Sequence, residues 1–220
     1  VKAVIDIGSN SVLLLIGERN ADGSVRVEMD RATITRLSAG VAASGRIAAE
    51  SIERTLTCLR DYAGEVERRG LELQAVATEG VRMADNAEAF LEPAAAVLGR
   101  PVEMISGDEE ARLSYLSVAL EGVEPDEPLR VIDIGGASTE IVVGRGPQIE
   151  GRKSHRIGSV RLTENCIAHD PVTADELGEI GRRAHEAFAS QPLEPHPVLV
   201  GLAGTVTTTA ALLLDLPAYD

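Results

Sequence analysis

Arg130-Val131-Ile132-Asp133-Ile134-Gly135-Gly136-Ala137-Ser138-Thr139-Glu140-Ile141-Val142-Val143 is a near copy of Ala3-Val4-Ile5-Asp6-Ile7-Gly8-Ser9-Asn10-Ser11-Val12-Leu13-Leu14. Each reads as strand, tight turn, strand: a β-rich run closes on Asp, glycine lets the backbone turn, and small hydroxyl or amide donors follow. Backbone N–H groups in such a turn point outward together and can ring an anion, while the carboxylate at the strand end suits a cation or its water. One Asp-x-Gly turn is commonplace. Two copies point to two halves of related architecture that handle one polyanionic ligand.

Outward from the first copy, Lys2 to Ile7, Val12 to Glu18 and Val25 to Leu37 read as a three-stranded meander, with Asp22-Gly23 as a turn signal. Ile52, Leu56, Leu59, Ala63 and Val66 recur at helical steps up to the stop at Gly70. A strand at Gln74 to Thr78, a helix from about Ala87 to Leu98, a strand at Val102 to Ile105 and a helix from Ser106 to about Leu120 complete a first domain, residues 1–122. The segment 121–128, with two prolines among acids, is the expected linker. The pattern then restarts in a second domain, residues 123–220. Its strands are Leu129 to Asp133, Glu140 to Val143 and Gln148 to Arg156. Helices near Val160 to Ala168 and Ala174 to Ser190 follow, then a strand at Val198 to Leu202 that leads through Ala203-Gly204-Thr205 into a last helix. The closing elements of that domain are not seen before Asp220, so it is expected to be incomplete.

The chain has 220 residues, 44% of them hydrophobic, with 35 Asp plus Glu against 21 Lys plus Arg and a net charge of −14. That balance argues against a nucleic acid or an anionic membrane as partner. A polyanion must therefore meet locally concentrated positive charge, and Arg152-Lys153-Ser154-His155-Arg156 through Arg161 supplies it, unless it is a charged sheet edge. Cys58 and Cys166 are isolated, no histidine stands at metal-ligand spacing, no run of 18 or more apolar residues is present, and neither a membrane span nor a leader is expected. A cytoplasmic protein with reduced thiols is expected.

Several side chains suit phosphate chemistry. In Ser106-Gly107-Asp108-Glu109 the spacing is that of a capping box, which occupies Glu109 and leaves Glu110 as a general base or as a surface acid complementing the helix dipole. Glu140 follows the second turn, where a carboxylate repels an anion unless it holds a metal ion or positions water. Arg82 closes Thr78-Glu79-Gly80-Val81-Arg82 at a strand end, where a guanidinium would grip a phosphoryl group or pair with a carboxylate. Gly204 and Thr205 open the last helix as an anion site, or Thr205 as a plain N-cap. Thr173-Ala174-Asp175-Glu176 is a second capping box with no chemistry.

Asp6-Ile7-Gly8-Ser9-Asn10-Ser11, Ala77 to Arg82, Ile105 to Leu113, Val131 to Glu140 and Ile157 to Thr163, in this order, resemble the motifs of the exopolyphosphatase / guanosine pentaphosphatase (Ppx/GppA) family. The resemblance implies an α/β fold of two ribonuclease-H-like domains around a cleft, the superfold of actin, Hsp70 and acetate kinase. It also implies Mg²⁺-dependent release of terminal phosphate from inorganic polyphosphate or guanosine pentaphosphate. Carried over by position, Glu110 is the catalytic residue, acting with Glu140. Asp133, Glu140 and Asp6 stand around the metal. Gly8, Ser9, Asn10, Ser11, Arg82, Gly135, Gly136, Ser138, Thr139, Gly204 and Thr205 hold phosphate. Glu110 is expected to approach the second turn from the opposite wall of the cleft. The chain departs from the family at Ala137, where a third glycine is usual, and at Glu79-Gly80, which adds a negative charge before Arg82. A homodimer is compatible with this reading. Open alternatives are a small-molecule kinase or ATPase of the same superfold, or a polyphosphate or alarmone sensor without turnover.

Overall fold

The structure, a computed structural model, describes residues 1–21, 24–120, 127–189 and 198–217. The chain forms two compact units, Val1–Ser106 and Gly107–Asp220. The Asp22-Gly23 turn and residues 121–126 of the expected linker lie outside the described residues.

In the first unit β1 (Lys2–Ile7), β2 (Ser11–Arg19) and β3 (Val25–Ile34) form an antiparallel meander. After α1 (Val41–Ser44) and α2 (Ala49–Arg68), β4 (Glu72–Ala77) returns parallel to β1. Then come α3 (Glu79–Arg82), α4 (Glu88–Leu98) and the short β5 (Glu103–Met104), for a sheet order β3-β2-β1-β4-β5. Alternation decides the faces: Ala3, Ile5, Ile7, Val12, Leu14 and Ile16 are fully buried, and Leu59 and Tyr62 of α2 share their cluster. Each such Leu or Ile contributes about 1.5–3 kcal/mol by leaving water. The expected third strand runs to Leu37, but β3 stops at Ile34. The Thr35 and Arg36 amides turn away to the Asn10 carbonyl, at 2.9 and 2.8 Å, and Arg36 takes a left-handed φ of 49°.

The second unit opens with α5 (Gly107–Ala119), followed by β6 (Pro128–Ile134), β7 (Thr139–Arg145) and β8 (Gln148–His155) as a second meander. Then follow α6 (Ser159–Cys166), α7 (Ala174–Phe188), β9 (Val198–Leu202) parallel to β6, and α8 (Ala203–Leu213). The order β8-β7-β6-β9 repeats that of β3-β2-β1-β4. Leu129, Val131 and Val142 on one face bury Ala111 and Tyr115 of α5, and the Tyr115 hydroxyl donates to the Gly146 carbonyl at 2.9 Å. The opposite face takes α8, where Val206 fills the space left by Gly201, and the end of α7, where Phe188 meets His155 edge-on.

Because α5 packs on β6, β7 and β8, the units divide at Ser106/Gly107, whereas the sequence reading divides the chain after residue 122. Linear order places α5 after the first sheet; side-chain packing assigns it to the second. No described helix is long and apolar enough to cross a membrane.

Candidate active site

The two turns share one geometry. The Gly8 amide donates to the Ser11 carbonyl at 3.0 Å, and the Gly135 amide to the Ser138 carbonyl at 3.0 Å. Beyond each turn, Asp6 stands opposite Leu13 and Asp133 opposite Glu140. Ala137 occupies its turn without a positive φ, so the absence of a third glycine imposes no left-handed strain there.

In the second unit the row Asp133, Glu140, Ser154 crosses β6, β7 and β8 on the face that α5 covers. Directly opposed side chains have Cβ atoms about 4.5–5.5 Å apart, and two like charges at that spacing repel. Glu140 is 1% exposed, and its Oε1 accepts the Ser154 hydroxyl at 2.6 Å. Asp133 Oδ2 accepts the Ser114 hydroxyl of α5, also at 2.6 Å. Burial pushes the Asp133 carboxyl above the usual aspartate range, and the Ser114 hydrogen bond offsets part of that rise. Glu110 stands one helical turn before Ser114 on the same face of α5, with Oε2 buried. Glu109 is committed elsewhere, since both its oxygens take the Arg112 guanidinium at 2.7 and 2.8 Å.

From sequence Glu110 is expected in the first domain, facing the second turn from across a cleft. The structure instead carries Glu110, Asp133 and Glu140 on one unit. Ser114 and Ser154 escaped that reading: the first is visible only as the residue four after Glu110, the second only once the β7–β8 register is known.

The second turn is braced from behind. The Ser159 amide donates to the Gly135 carbonyl at 3.0 Å, and Arg161 donates to the Gly136 carbonyl through its amide and to the Ala137 carbonyl through Nε, both at 3.1 Å. Thr139 Oγ1 donates to the Ile157 carbonyl at 2.7 Å. Arg152 of the basic stretch lies 3.6 Å from Asp108, so part of that charge is balanced within the unit. Leu202 is the partner of Asp133 in the β6–β9 ladder, which brings Gly204 and Thr205 just beyond the strand ends. The N-cap there is Leu202 and no side chain caps the helix, so Thr205 is an internal helix residue and not the cap. The first amides of α8 thus keep their capacity for an anion.

In the first unit Ser9 is buried against Gly80, at which an added Cβ would lie 2.9 Å from Ser9 Cα. The Thr78 amide donates to the Ile7 carbonyl at 3.3 Å, which sets α3 beside the turn. Arg82 therefore lies on a short helix and not at a strand end. Its guanidinium pairs closely with buried Glu79 and donates to the Ile105 carbonyl, contacts that a phosphate ligand would have to exchange.

A chain with two such hairpins, one of them flanked by opposed carboxylates, is a protein built for phosphate chemistry. It belongs to the Ppx/GppA phosphatase family, whose model matches residues 4–215. It is 40% identical over 232 aligned positions to Exopolyphosphatase 2 of Mycobacterium tuberculosis, covering 99% of this chain and 72% of that protein. Among solved structures, the Ppx/GppA family member of Aquifex aeolicus is 38% identical with a TM-score of 0.78, over 99% of this chain and 71% of that one. An exopolyphosphatase-like protein is 34% identical with a TM-score of 0.89, over 97% and 69% of the two chains.

Proposed function

We propose that this chain hydrolyses the terminal phosphoanhydride of inorganic polyphosphate, of guanosine pentaphosphate, or of both. The observation that carries this reading is the row Asp133, Glu140, Ser154 with Glu110 and Ser114 on the helix above it. Both units are proposed to be ribonuclease-H-like, a reading supported by the repeated strand order.

Phosphoryl transfer to water needs the anhydride held in line with its nucleophile and the charge on the phosphoryl oxygens offset. Each unit offers its own phosphate-binding groups: the amides and hydroxyls of Gly8 to Ser11 with Arg82 in the first, and those of Gly135 to Thr139 with the first amides of α8 in the second. Glu110 orients the attacking water and takes its proton. Asp133 and Glu140 present hard oxygen donors on one face, which suits Mg²⁺, an ion that keeps several waters and needs few protein ligands. Among the described residues no group of three or more His, Cys, Asp or Glu is placed to hold a metal, so water and substrate oxygens would complete the shell. When bound, Mg²⁺ supplies positive charge against the phosphoryl oxygens. We assign the enzyme to the cytoplasm, in keeping with two unbridged cysteines.

Phosphate release from polyphosphate, guanosine pentaphosphate and ATP, measured side by side with and without Mg²⁺, tests this reading. Release from either of the first two in excess of ATP is expected. Turnover of ATP alone, or none at all, would sink it.

A further inference from the structure

The first turn is held by a guanidinium that does not belong to it. Asn10 and Ser9 present their carbonyls to the segment 35–38, receiving the amides of Thr35 at 2.9 Å, Arg36 at 2.8 Å and Ser38 at 3.0 Å. That segment holds itself only in part: Arg36 sits at φ 49°, a conformation unfavourable for a side chain of its size, and although its carbonyl accepts the Ala39 amide at 3.1 Å, the Thr35 carbonyl lies past the end of the strand ladder. Arg54 on α2 supplies what is missing. Its Nε donates to the Thr35 carbonyl, and its Nη2 to the Arg36 carbonyl at 3.3 Å and to Ser51 Oγ at 3.0 Å. The same two residues thus give their amides to the hairpin and their carbonyls to Arg54.

We propose that Arg54 is a positioning residue for phosphate binding, fixing the Ser9-Asn10 turn through the segment 35–38; this rests on the reading of that turn as a phosphate site. Its Nε and Nη2 serve two main-chain carbonyls and the Ser51 hydroxyl, and its Nη1 faces Glu50, which distinguishes it from an arginine that turns its fork to the substrate. Glu50, at 3.7 Å, balances part of its charge. A planar fork is needed to serve two neighbouring carbonyls while leaning on Ser51, and a lysine ammonium lacks that geometry.

The test is the phosphate-release kinetics of the full chain on inorganic polyphosphate, for Arg54→Met, Arg54→Lys, Asn10→Ala and the Arg54→Met/Asn10→Ala double variant. Each is assayed well below its own unfolding midpoint. Loss of charge-assisted hydrogen bonds that order a binding turn predicts a KM raised about tenfold for both Arg54 variants. The change in kcat is expected to stay within about threefold, since the reacting water is not touched. The double variant is expected to be no worse than the worse single one, because both changes act on one turn. A wild-type KM for Arg54→Lys would show that charge alone matters, and multiplied effects in the double variant would show independent action; either overturns the proposal. An unchanged KM for Asn10→Ala would instead remove the phosphate role of the turn itself.

Discussion

Asp133 and Glu140 face each other across the β6–β7 ladder, and each carboxylate takes a serine hydroxyl at 2.6 Å from a different element, Ser114 on α5 and Ser154 on β8. Two acids so placed are tolerated when one is protonated or when a cation stands between them. The serines orient the oxygens that such a cation would use. Ser114→Ala leaves the packing of α5 in place and removes only the hydroxyl. Outer partners of metal ligands typically matter by about 10- to 100-fold in metal affinity, so the Mg²⁺ concentration for half-maximal phosphate release should rise at least tenfold. A Mg²⁺ titration identical to wild type would show that Asp133 does not serve the ion.

Glu110 lies one turn from Ser114 and on the same face, the placement behind its proposed role as general base. Glu110→Gln keeps the shape and removes the base. Phosphate release should fall roughly 10²- to 10⁴-fold while polyphosphate binding, read by equilibrium titration, stays near wild type. Near-normal turnover would falsify the assignment.

Gly158 lies hard against the second turn: a Cβ there would stand 2.5 Å from the Gly136 carbonyl carbon and oxygen and 2.7 Å from the Ala137 nitrogen. Those are backbone atoms and cannot swing aside. Gly158→Ala is expected to cost about 1–3 kcal/mol, by the usual scale of overpacking, and to raise KM as the turn is displaced. Gly178→Ala is the control, because nothing lies within 4 Å of its added methyl inside α7. It should stabilise by about 0.5–1 kcal/mol from helix preference alone. Urea unfolding of the two variants decides the sign of each.

Acid sensitivity is expected at α7. Glu176 receives the Thr173 amide at 2.8 Å and the Ala168 amide at 2.7 Å, and contacts His169 Nδ1 at 2.9 Å. The backbone amides of Thr173 and Ala168, followed by the His169 contact, lower its carboxyl from 4.5 to about 2. A depressed carboxyl stabilises the fold above its unfolded value, and that contribution is lost as pH falls from about 4.5 towards 2. Glu176→Gln should flatten the decline of the melting temperature across that window. An unchanged acid slope would mean that the cap is already open in solution.

How far the sequence leads depends on where the physics is local. The β1 and β9 boundaries follow from alternation and turn residues, and α2 from its apolar steps, because each is decided within a few residues. The one-turn helices α1 and α3 carry no period to detect, so Arg82 reads as a strand end until the backbone is seen. The end of β3 is set by Asn10, distant in sequence, whose carbonyl captures two amides that would otherwise extend the strand. The turn residues and the carboxylates Glu110, Asp133 and Glu140 are legible as motifs. Their serine partners are not, since Ser154 meets Glu140 only through strand register and Ser114 meets Asp133 only through the seating of α5.

The twin turns differ in one letter that matters most, Leu13 against Glu140, at matching ladder positions. The duplicated backbone is therefore symmetric in form and polarised in chemistry, the second copy setting two carboxylates opposite each other where the first sets an aspartate opposite a leucine. Leu13 is 40% exposed and could accept a carboxylate, so division of labour between the halves hangs on a substitution that a designer could reverse.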